Sequence, residues 1–198
     1  GPVFKAWDTS HQRFVAVRVM EEPITQPQKE MQERIMRDLR TAAALRHPSI
    51  PQIFEVGTIK GRTYLSRAFV EGQNLPRAKP GAVDLARHLS HVAEAVQYAH
   101  GEGIVHGNIT PENIIIDTNG RAQLVEFGLG GLTDEKLSYV TPEGSFTPKS
   151  DIFGMGVTMY EVLCDGKLGR LDIQPLATQG RMPPLPDDVP DELRKIIA

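Results

Sequence analysis

Two neighbouring stretches decide the fold of this chain, namely Val105-His106-Gly107-Asn108-Ile109-Thr110-Pro111-Glu112-Asn113-Ile114-Ile115-Ile116 and Val125-Glu126-Phe127-Gly128. The β-branched run 114–116 predicts a strand, and residues 122–125 predict the strand that returns. Between them, Asn119-Gly120 predicts a tight turn, because these residues accept positive φ. A polar loop therefore enters a β-hairpin, and an acidic residue followed by Phe-Gly leaves it.

A hairpin brings its two open ends together. We therefore expect Asn108, Asn113 and Glu126 to face one another across a small gap. Amide and carboxylate oxygens are ligands of hard divalent cations, which in turn bind phosphates. The pattern predicts a place for a polyphosphate and a divalent metal ion.

The same residues carry a family resemblance. A His-x-Asp-x-x-x-x-Asn loop followed by Asp-Phe-Gly is the catalytic and metal-binding frame of protein kinases. The chain resembles the Hanks-type serine/threonine kinases in this frame, but Asn108 replaces the base aspartate and Glu126 replaces the metal aspartate. A similar His-Gly-Asn occurs in the pseudokinase domains of Janus kinases. The residues that match the kinase frame are His106, Pro111, Asn113, Phe127 and Gly128.

Composition bounds the class of protein. The chain has 198 residues, 40% of them hydrophobic, which suffices for a core in one or two lobes. A net charge of −3 argues against a nucleic-acid surface. No apolar run reaches the roughly 18–20 residues of a membrane span, and no signal peptide is visible. The single cysteine, Cys164, fits a reducing compartment. We expect a cytoplasmic domain that inserts no segment into a membrane.

The resemblance implies an α+β, bilobal kinase-like fold, truncated at both ends. A small β-rich N-lobe with one main helix is expected over residues 1–70, and a larger, mostly helical C-lobe over residues 71–198. Residues 14–19 alternate like a half-buried strand, and residues 29–46 follow a helical period that His47-Pro48 should end. Gly1-Pro2 resembles the end of a glycine-rich loop or, alternatively, a scar of protease cleavage.

Two arginines occupy unusual places in this frame. By resemblance, Arg18 stands where kinases have the phosphate-pairing lysine, Asp38 where they have its helix glutamate, and Arg67 at the gatekeeper position. The alternatives are a solvent-facing Arg18 and an Asp38 within a solvated helix face. A buried arginine is costly unless it is paired. We therefore expect Arg18, Arg67, Asp38 and Glu126 to form a charge cluster that partly fills the cleft.

The resemblance also assigns roles around the expected cleft. Asn113 and Glu126 are the candidate metal ligands. No catalytic residue is assigned, because Asn108 and Thr110 stand at the positions of the base aspartate and the loop lysine. ATP and Mg²⁺ are therefore expected to bind weakly or not at all. The candidate nucleotide-binding residues are Gly1, Val3, Ala16, Arg18, Asp38, Arg67, Ala68, Val70 and Ile115.

Further along, residues 75–83 read as a loop, and Asp84 is expected to cap a helix that runs to His100. A core helix over residues 150–163 carries Asp151, which by resemblance braces the catalytic loop. Thr141-Pro142-Glu143 resembles the kinase Ala-Pro-Glu. A short final helix is expected from Asp191 to the end of the chain. The histidines read as packing or surface groups rather than metal ligands, namely His88, His91, His100 and His106.

These substitutions bear on activity. Loss of a general base costs about 10²–10⁴ in rate, and misplacing a metal by about 1 Å costs about 10². We predict a catalytically inactive pseudokinase that serves as a regulatory or scaffold module for a protein partner, or for another domain of a longer chain. One alternative is a weak, ATP- and Mg²⁺-binding kinase with residual phosphotransfer. A small-molecule phosphotransferase, which also uses a His-Gly loop, is the less favoured one.

Overall fold

The N-terminal part of the chain is a four-stranded antiparallel sheet. A computed structural model describes residues 2–20, 29–129, 147–165, 175–176, 179, 181–182 and 184–197. The strands lie in the order β1-β2-β4-β3, and helix α1 lies between β2 and β3 in the chain. The elements are β1 (Val3–Asp8), β2 (Arg13–Val19), α1 (Lys29–Ala42), β3 (Ile53–Ile59) and β4 (Arg62–Ala68).

The pairing of these strands places predicted site residues on one face of the sheet. Arg18 lies opposite Val3, and Ala16 lies opposite Arg67. Because side chains alternate along a strand and directly opposed residues share a face, all four belong to the same face. Lys60-Gly61 forms the β3–β4 turn with φ of 48° and 76°.

Helix α1 ends at Ala42, four residues before the predicted end at Arg46. The carbonyl of Ala43 accepts hydrogen bonds from Arg46 Nη1 at 2.7 Å and from Gln52 Nε2 at 3.0 Å. These side chains satisfy a carbonyl that a longer helix would have satisfied, so the helix ends before the proline is reached. The remaining turn leads into β3.

The second part of the chain combines a small sheet with most of the helices. Strands β5, β6 and β7 pair in that order. Its elements are β5 (Gly72–Asn74), α2 (Leu75–Ala78), α3 (Ala82–Gly101), a 3₁₀ turn (Pro111–Asn113), β6 (Ile114–Asp117), β7 (Ala122–Leu124), α4 (Pro148–Leu163) and α5 (Asp191–Ile197). The core between α3, the hairpin and α4 contains Leu85, Leu89, Val92, Val96, Ile109, Ile114, Leu124 and Phe127.

Two local predictions in this part are wrong. Residues 75–78 form the short helix α2, capped by Asn74 Oδ1, which accepts from Arg77 N at 3.3 Å. Four residues are too short to show a helical period. Helix α3 starts at Ala82 with Gly81 as its N-cap, so Asp84 lies within the first turn instead of capping it. A carboxylate in the first turn stabilises the helix, because it interacts with the positive end of the helix dipole.

The α+β fold expected from the sequence is confirmed. Among the described residues, no helix has the length and apolar character needed to cross a membrane. The predicted roles of Gly1 and of Thr141-Pro142-Glu143 fall outside the described residues.

Candidate functional site

The β6–β7 hairpin positions the candidate site. Gly120 has a φ of 77°, and its N–H donates to the Asp117 carbonyl at 2.9 Å, which closes the turn. At the open end, Val125 N donates to Asn113 O at 2.9 Å. This bond joins the loop that enters the hairpin to the segment that leaves it, as the sequence predicts.

His106 holds the loop from beneath. Its ring is fully buried; Nδ1 accepts from Asn108 N at 3.1 Å, and Nε2 lies 2.9 Å from Val125 O. With Nδ1 as acceptor, Nε2 is assigned the proton and donates to that carbonyl. The ring of Phe127 meets the imidazole edge-on at 4.5 Å between centroids. Both nitrogens are used for structure, which matches the expected packing role.

Asp151 at the start of α4 holds the same loop from the other side. Its Oδ2 accepts from His106 N at 2.9 Å, and Oδ1 accepts from Gly107 N at 2.7 Å. His100 Nε2 lies 2.8 Å from Oδ2. A carboxylate that is 1% exposed and has three partners is well satisfied. Asp151 therefore takes the bracing position that the resemblance implied.

The two substituted positions of the loop are buried and incompletely bonded. Asn108 is 7% exposed and Thr110 is fully buried. Within the described part of the chain, Asn108 Oδ1 and Thr110 Oγ1 have no hydrogen-bond partner. Asn113 Nδ2 donates to the Asn108 backbone carbonyl at 2.9 Å, so the backbone of the loop is fixed while these side-chain oxygens stay available. An amide oxygen can orient a hydroxyl, but it cannot take up its proton at neutral pH.

Glu126 forms a buried cluster with the two arginines. Its Oε2 lies 2.8 Å from Arg18 Nη1, an ion-pair distance reached without hydrogen-bond alignment. Its Oε1 lies 3.7 Å from Arg67 Nη2. The side chains of Arg18, Arg67 and Glu126 are 13%, 7% and 3% exposed. The structure thus brings together three of the four residues expected in the charge cluster.

Asp38 is the fourth expected member, and it is solvent-exposed on α1. Glu126, which pairs with Arg18, comes from the segment after the hairpin. The backbone of Asp38 does approach the site. A Cβ added to Gly128 would lie 3.2 Å from the carbonyl carbon and oxygen of Asp38.

Burial dominates the electrostatics of Arg67. Burial lowers the pKa of the Arg67 guanidinium, and repulsion by Arg18 lowers this pKa further. The negative charge of Glu126 acts in the opposite direction. A guanidinium remains protonated in proteins at neutral pH. Arg67 Nη1 also donates to the Ala68 carbonyl at 3.2 Å. Two positive charges therefore share one buried carboxylate.

The backbone at Glu126 is strained. Its φ is 75°, in the left-handed region that costs a non-glycine residue about 1–3 kcal/mol. The preceding residue is anchored by two hydrogen bonds, from Val125 N to the Asn113 carbonyl and from His106 Nε2 to the Val125 carbonyl, and these restrict the backbone next to Glu126. The strained residue is the one whose carboxylate meets both guanidiniums.

This arrangement does not fit a divalent cation. Both oxygens of Glu126 face guanidinium groups, so a metal would have to displace Arg18 from the carboxylate. The described residues contain no cluster of three or more histidine, cysteine or acidic side chains that could hold a metal ion. Mg²⁺ commonly takes only one or two protein oxygens together with phosphates and waters, so it is the arginine contacts of Glu126 that oppose a metal here.

The other predicted nucleotide positions surround the cluster at varying depth. Ala16 is 2% exposed next to Arg67, whereas Val3 is 47% exposed opposite Arg18. Ala68 and Val70 are half-buried at the end of β4, and Ile115 is half-buried in β6.

One feature of this sheet face was missed from the sequence. Lys5 Nζ lies 4.3 Å from the ring centre of Phe14 and 4.2 Å from that of Phe69, within cation–π distance of both. The exposed ring of Trp7 packs edge-on against Phe14 at 4.9 Å between centroids. The alternation of side chains along β1 could have revealed this feature, because it puts Lys5 and Trp7 on the same face as Val3.

A separate cavity of about 320 Å³ lies away from Glu126, between α2, the 3₁₀ turn and the end of α4. An exposed ion pair between Lys79 and Asp165, at 3.4 Å, stands at this place. The cavity contains none of the residues predicted for catalysis. The cavity is lined by Leu75, Pro76, Lys79, Pro80, Pro111, Glu161, Val162 and Asp165.

Comparison with known proteins supports this frame. The family model described as "Protein kinase domain" matches residues 1–173. Serine/threonine-protein kinase PknE of Mycobacterium tuberculosis is 31% identical over 186 residues, which cover 82% of this chain and 32% of PknE. Serine/threonine-protein kinase PknA of the same organism is 31% identical over 228 residues, covering 100% of this chain and 52% of PknA. The chain thus spans about a third to a half of these relatives, and it belongs to the protein kinase domain family.

Proposed function

We propose that this chain is a catalytically inactive kinase-fold module that regulates a protein partner or another domain of a longer chain. The observation that carries the proposal is the ion pair between Glu126 and Arg18. In the family frame, the first residue holds a metal and the second meets phosphates. Here the two meet each other, so neither is presented for its catalytic task.

The loop supports the same conclusion. Asn108 stands at the position of the base, and an amide cannot accept the proton of an attacking hydroxyl. Loss of a general base alone costs about 10²–10⁴ in rate. Thr110 replaces a cation that would neutralise the transferred phosphoryl group. The scaffold beneath the loop, built from His106 and Asp151, keeps the shape of the fold without these groups.

The proposed module has its division near residues 70 and 71 and acts in the cytoplasm, for which the single cysteine is suitable. A kinase fold that has lost its chemistry retains large surfaces. In the part of the chain that the structure describes, the exposed apolar side chains include Phe4, Trp7 and Phe14 on the β1–β2 hairpin.

Residual phosphotransfer is the second candidate function. The unpartnered oxygen of Asn108 favours it, because a buried acceptor at that place can still orient a hydroxyl group. This candidate requires Glu126 to leave Arg18 and bind a metal.

The test is a phosphotransfer assay with radiolabelled ATP, Mg²⁺ or Mn²⁺, and generic protein acceptors. We expect no transfer above that of a matched Asn113→Ala variant. We expect Asn108→Asp to remain inactive as well, since the carboxylate at position 126 stays paired with arginine. Transfer by the unmodified chain that Asn113→Ala abolishes would overturn the proposal in favour of a weak kinase.

A further inference from the structure

We infer that the cavity between α2, the 3₁₀ turn and the end of α4 binds a small ligand that has an apolar body and one ammonium group. Its volume of about 320 Å³ lies within the range of about 300–1,000 Å³ that small-molecule sites have in proteins. Arg18, Arg67 and Glu126 are not among the described residues that line it. Ligand binding here is therefore separate from the proposed function and does not depend on it.

Apolar groups form most of the wall of this cavity. Leu75 and Val162 contribute aliphatic side chains, and three prolines add to them, namely Pro76, Pro80 and Pro111. A proline has a fixed φ and no backbone N–H, so these residues present a rigid surface without backbone donors. Such a surface binds the apolar body of a ligand by removing it from water, and a rigid wall needs little rearrangement to do so.

An ion pair forms the solvent-facing edge of the cavity. Lys79 Nζ and Asp165 Oδ1 lie 3.4 Å apart, and their side chains are 70% and 69% exposed. Lys79 caps the end of α2, and Asp165 follows the end of α4. Each backbone is held to its helix, because Lys79 N donates to the Leu75 carbonyl at 3.0 Å and Asp165 N donates to the Val162 carbonyl at 3.1 Å. The edge therefore has a fixed backbone and exposed charged side chains.

The lysine is the member of this pair that a ligand can replace. Its long side chain loses conformational entropy when it is held in one geometry, whereas the Asp165 carboxylate is one carbon away from an anchored backbone. An exposed ion pair contributes little to stability, so Lys79 leaves Asp165 at small cost. A ligand ammonium then takes the place of Lys79 Nζ while its apolar body occupies the cavity. A ligand carboxylate would instead meet the negative charge of Asp165.

Glu161 is the other acid of the lining. It has an interaction of its own, so the charge of the ligand is matched to Asp165 alone. The two parts of the site make separate demands on a ligand, namely an apolar group for the wall and a positive charge for the edge.

The experiment is an NMR titration of the isotope-labelled chain with four probes at matched pH and ionic strength. The probes are phenylbutylamine, phenylbutanol, phenylbutyrate and methylamine. We expect phenylbutylamine to bind with a Kd of about 1–10 mM, because a ligand of this size gains limited free energy per atom. The alcohol should bind about 2- to 5-fold more weakly, the range of an exposed ion pair, and the carboxylate more weakly still. Methylamine, which has no apolar body, should not bind measurably.

The position of the ligand is read from the amide signals, with the largest shifts expected at Leu75, Lys79 and Val162. No binding of phenylbutylamine, or binding of phenylbutyrate at least as tight, would overturn the inference. Equal affinity for methylamine and phenylbutylamine would overturn it too, because the apolar wall would then contribute nothing.

Two substitutions at the edge should change the affinity in opposite directions. Asp165→Asn removes the charge and keeps a residue that tolerates the left-handed φ of 53°, so the Kd for phenylbutylamine should rise about 2- to 5-fold. Lys79→Gln removes the competing ammonium, so this Kd should fall about 2-fold. Phenylbutanol carries no charge and should bind both variants as it binds the unmodified chain. Changes of the same sign in both variants, or equal changes for the amine and the alcohol, contradict the inference.

A third substitution tests the wall. Val162→Phe adds volume inside the cavity and should raise the Kd for both the amine and the alcohol more than about 10-fold. Val83→Phe is the matched control, because Val83 is 70% exposed on α3 and does not line the cavity. Unchanged binding in a folded Val162→Phe variant would overturn the inference. If this variant fails to fold, the opposite responses of Asp165→Asn and Lys79→Gln, which change exposed side chains only, decide the question.

Discussion

Two regions around the catalytic loop differ in how well their polar groups are satisfied. One is the floor, the support that His106 and Asp151 form beneath the loop, and the other is the cleft above it. On the floor, His106 and Asp151 use their buried polar atoms in hydrogen bonds to the loop and to α3. In the cleft, Asn108, Thr110 and Arg18 each keep a buried polar atom without a partner in the described residues. The residues that hold the shape match the family, whereas those that carry the chemistry have changed.

The largest expected effect is that of Glu126→Gln, which removes the carboxylate that meets two buried guanidiniums. Breaking a buried ion pair by removing one partner costs about 3–5 kcal/mol. For a domain of this size, we expect the Tm to fall by about 10 °C in thermal unfolding. Glu94→Gln is the control, because its pair with Arg121 is exposed and contributes about 1 kcal/mol or less. Equal shifts for both variants would mean that the buried cluster does not hold the cleft together.

Asp151→Ala tests the floor. The change removes the acceptor of two backbone N–H groups and the partner of His100, and stranded buried donors cost about 1–3 kcal/mol each. We expect a loss of about 2–4 kcal/mol in the free energy of unfolding, measured by urea denaturation. Asp165→Ala, an exposed acid just after the same helix, should change stability by less than about 1 kcal/mol. An Asp151 variant as stable as this control would remove the contrast between floor and cleft.

The sequence predicts the floor better than the cleft, for physical reasons. The hairpin depends on local signals, a β-branched run and an Asn-Gly turn, which act within a few residues. The partner of Arg18 depends on tertiary packing. The ion pair between Arg18 and Glu126 forms only because the segment after the hairpin is brought beside β2. The end of α1 was missed because the capping groups, Arg46 and Gln52, act from outside the helix.

Arg67→Met sharpens the comparison by freeing one oxygen of Glu126. Removing one partner of a buried ion pair is destabilising, but Arg18 still pairs with Glu126, so we expect a smaller loss of stability than for Glu126→Gln. Nucleotide binding should improve in Mg²⁺ and become dependent on the metal. Calorimetry with and without EDTA measures this, with exposed Arg62→Met on the same strand as the control. Unchanged binding in Mg²⁺ would show that Arg67 does not restrain the carboxylate.

The smallest expected effect lies outside both regions, at His88 on α3. Burial lowers the pKa of His88 from its ordinary value of 6.5, and Arg87 acts in the same direction. The unfolded chain therefore binds the proton more readily than the folded chain, so stability declines as the pH falls below about 6.5. We expect His88→Leu to flatten this decline in urea denaturation measured between about pH 5 and pH 7. If His88→Leu leaves the decline of stability unaltered, titratable groups other than His88 cause it.

Gly128 links the two regions mechanically. Its φ is 76°, and a Cβ at this position would come within 3.1 Å of the Leu39 backbone nitrogen. A side chain at position 128 would therefore press on the backbone of α1. Glycine at this one position lets α1 pack close to the segment that follows Phe127.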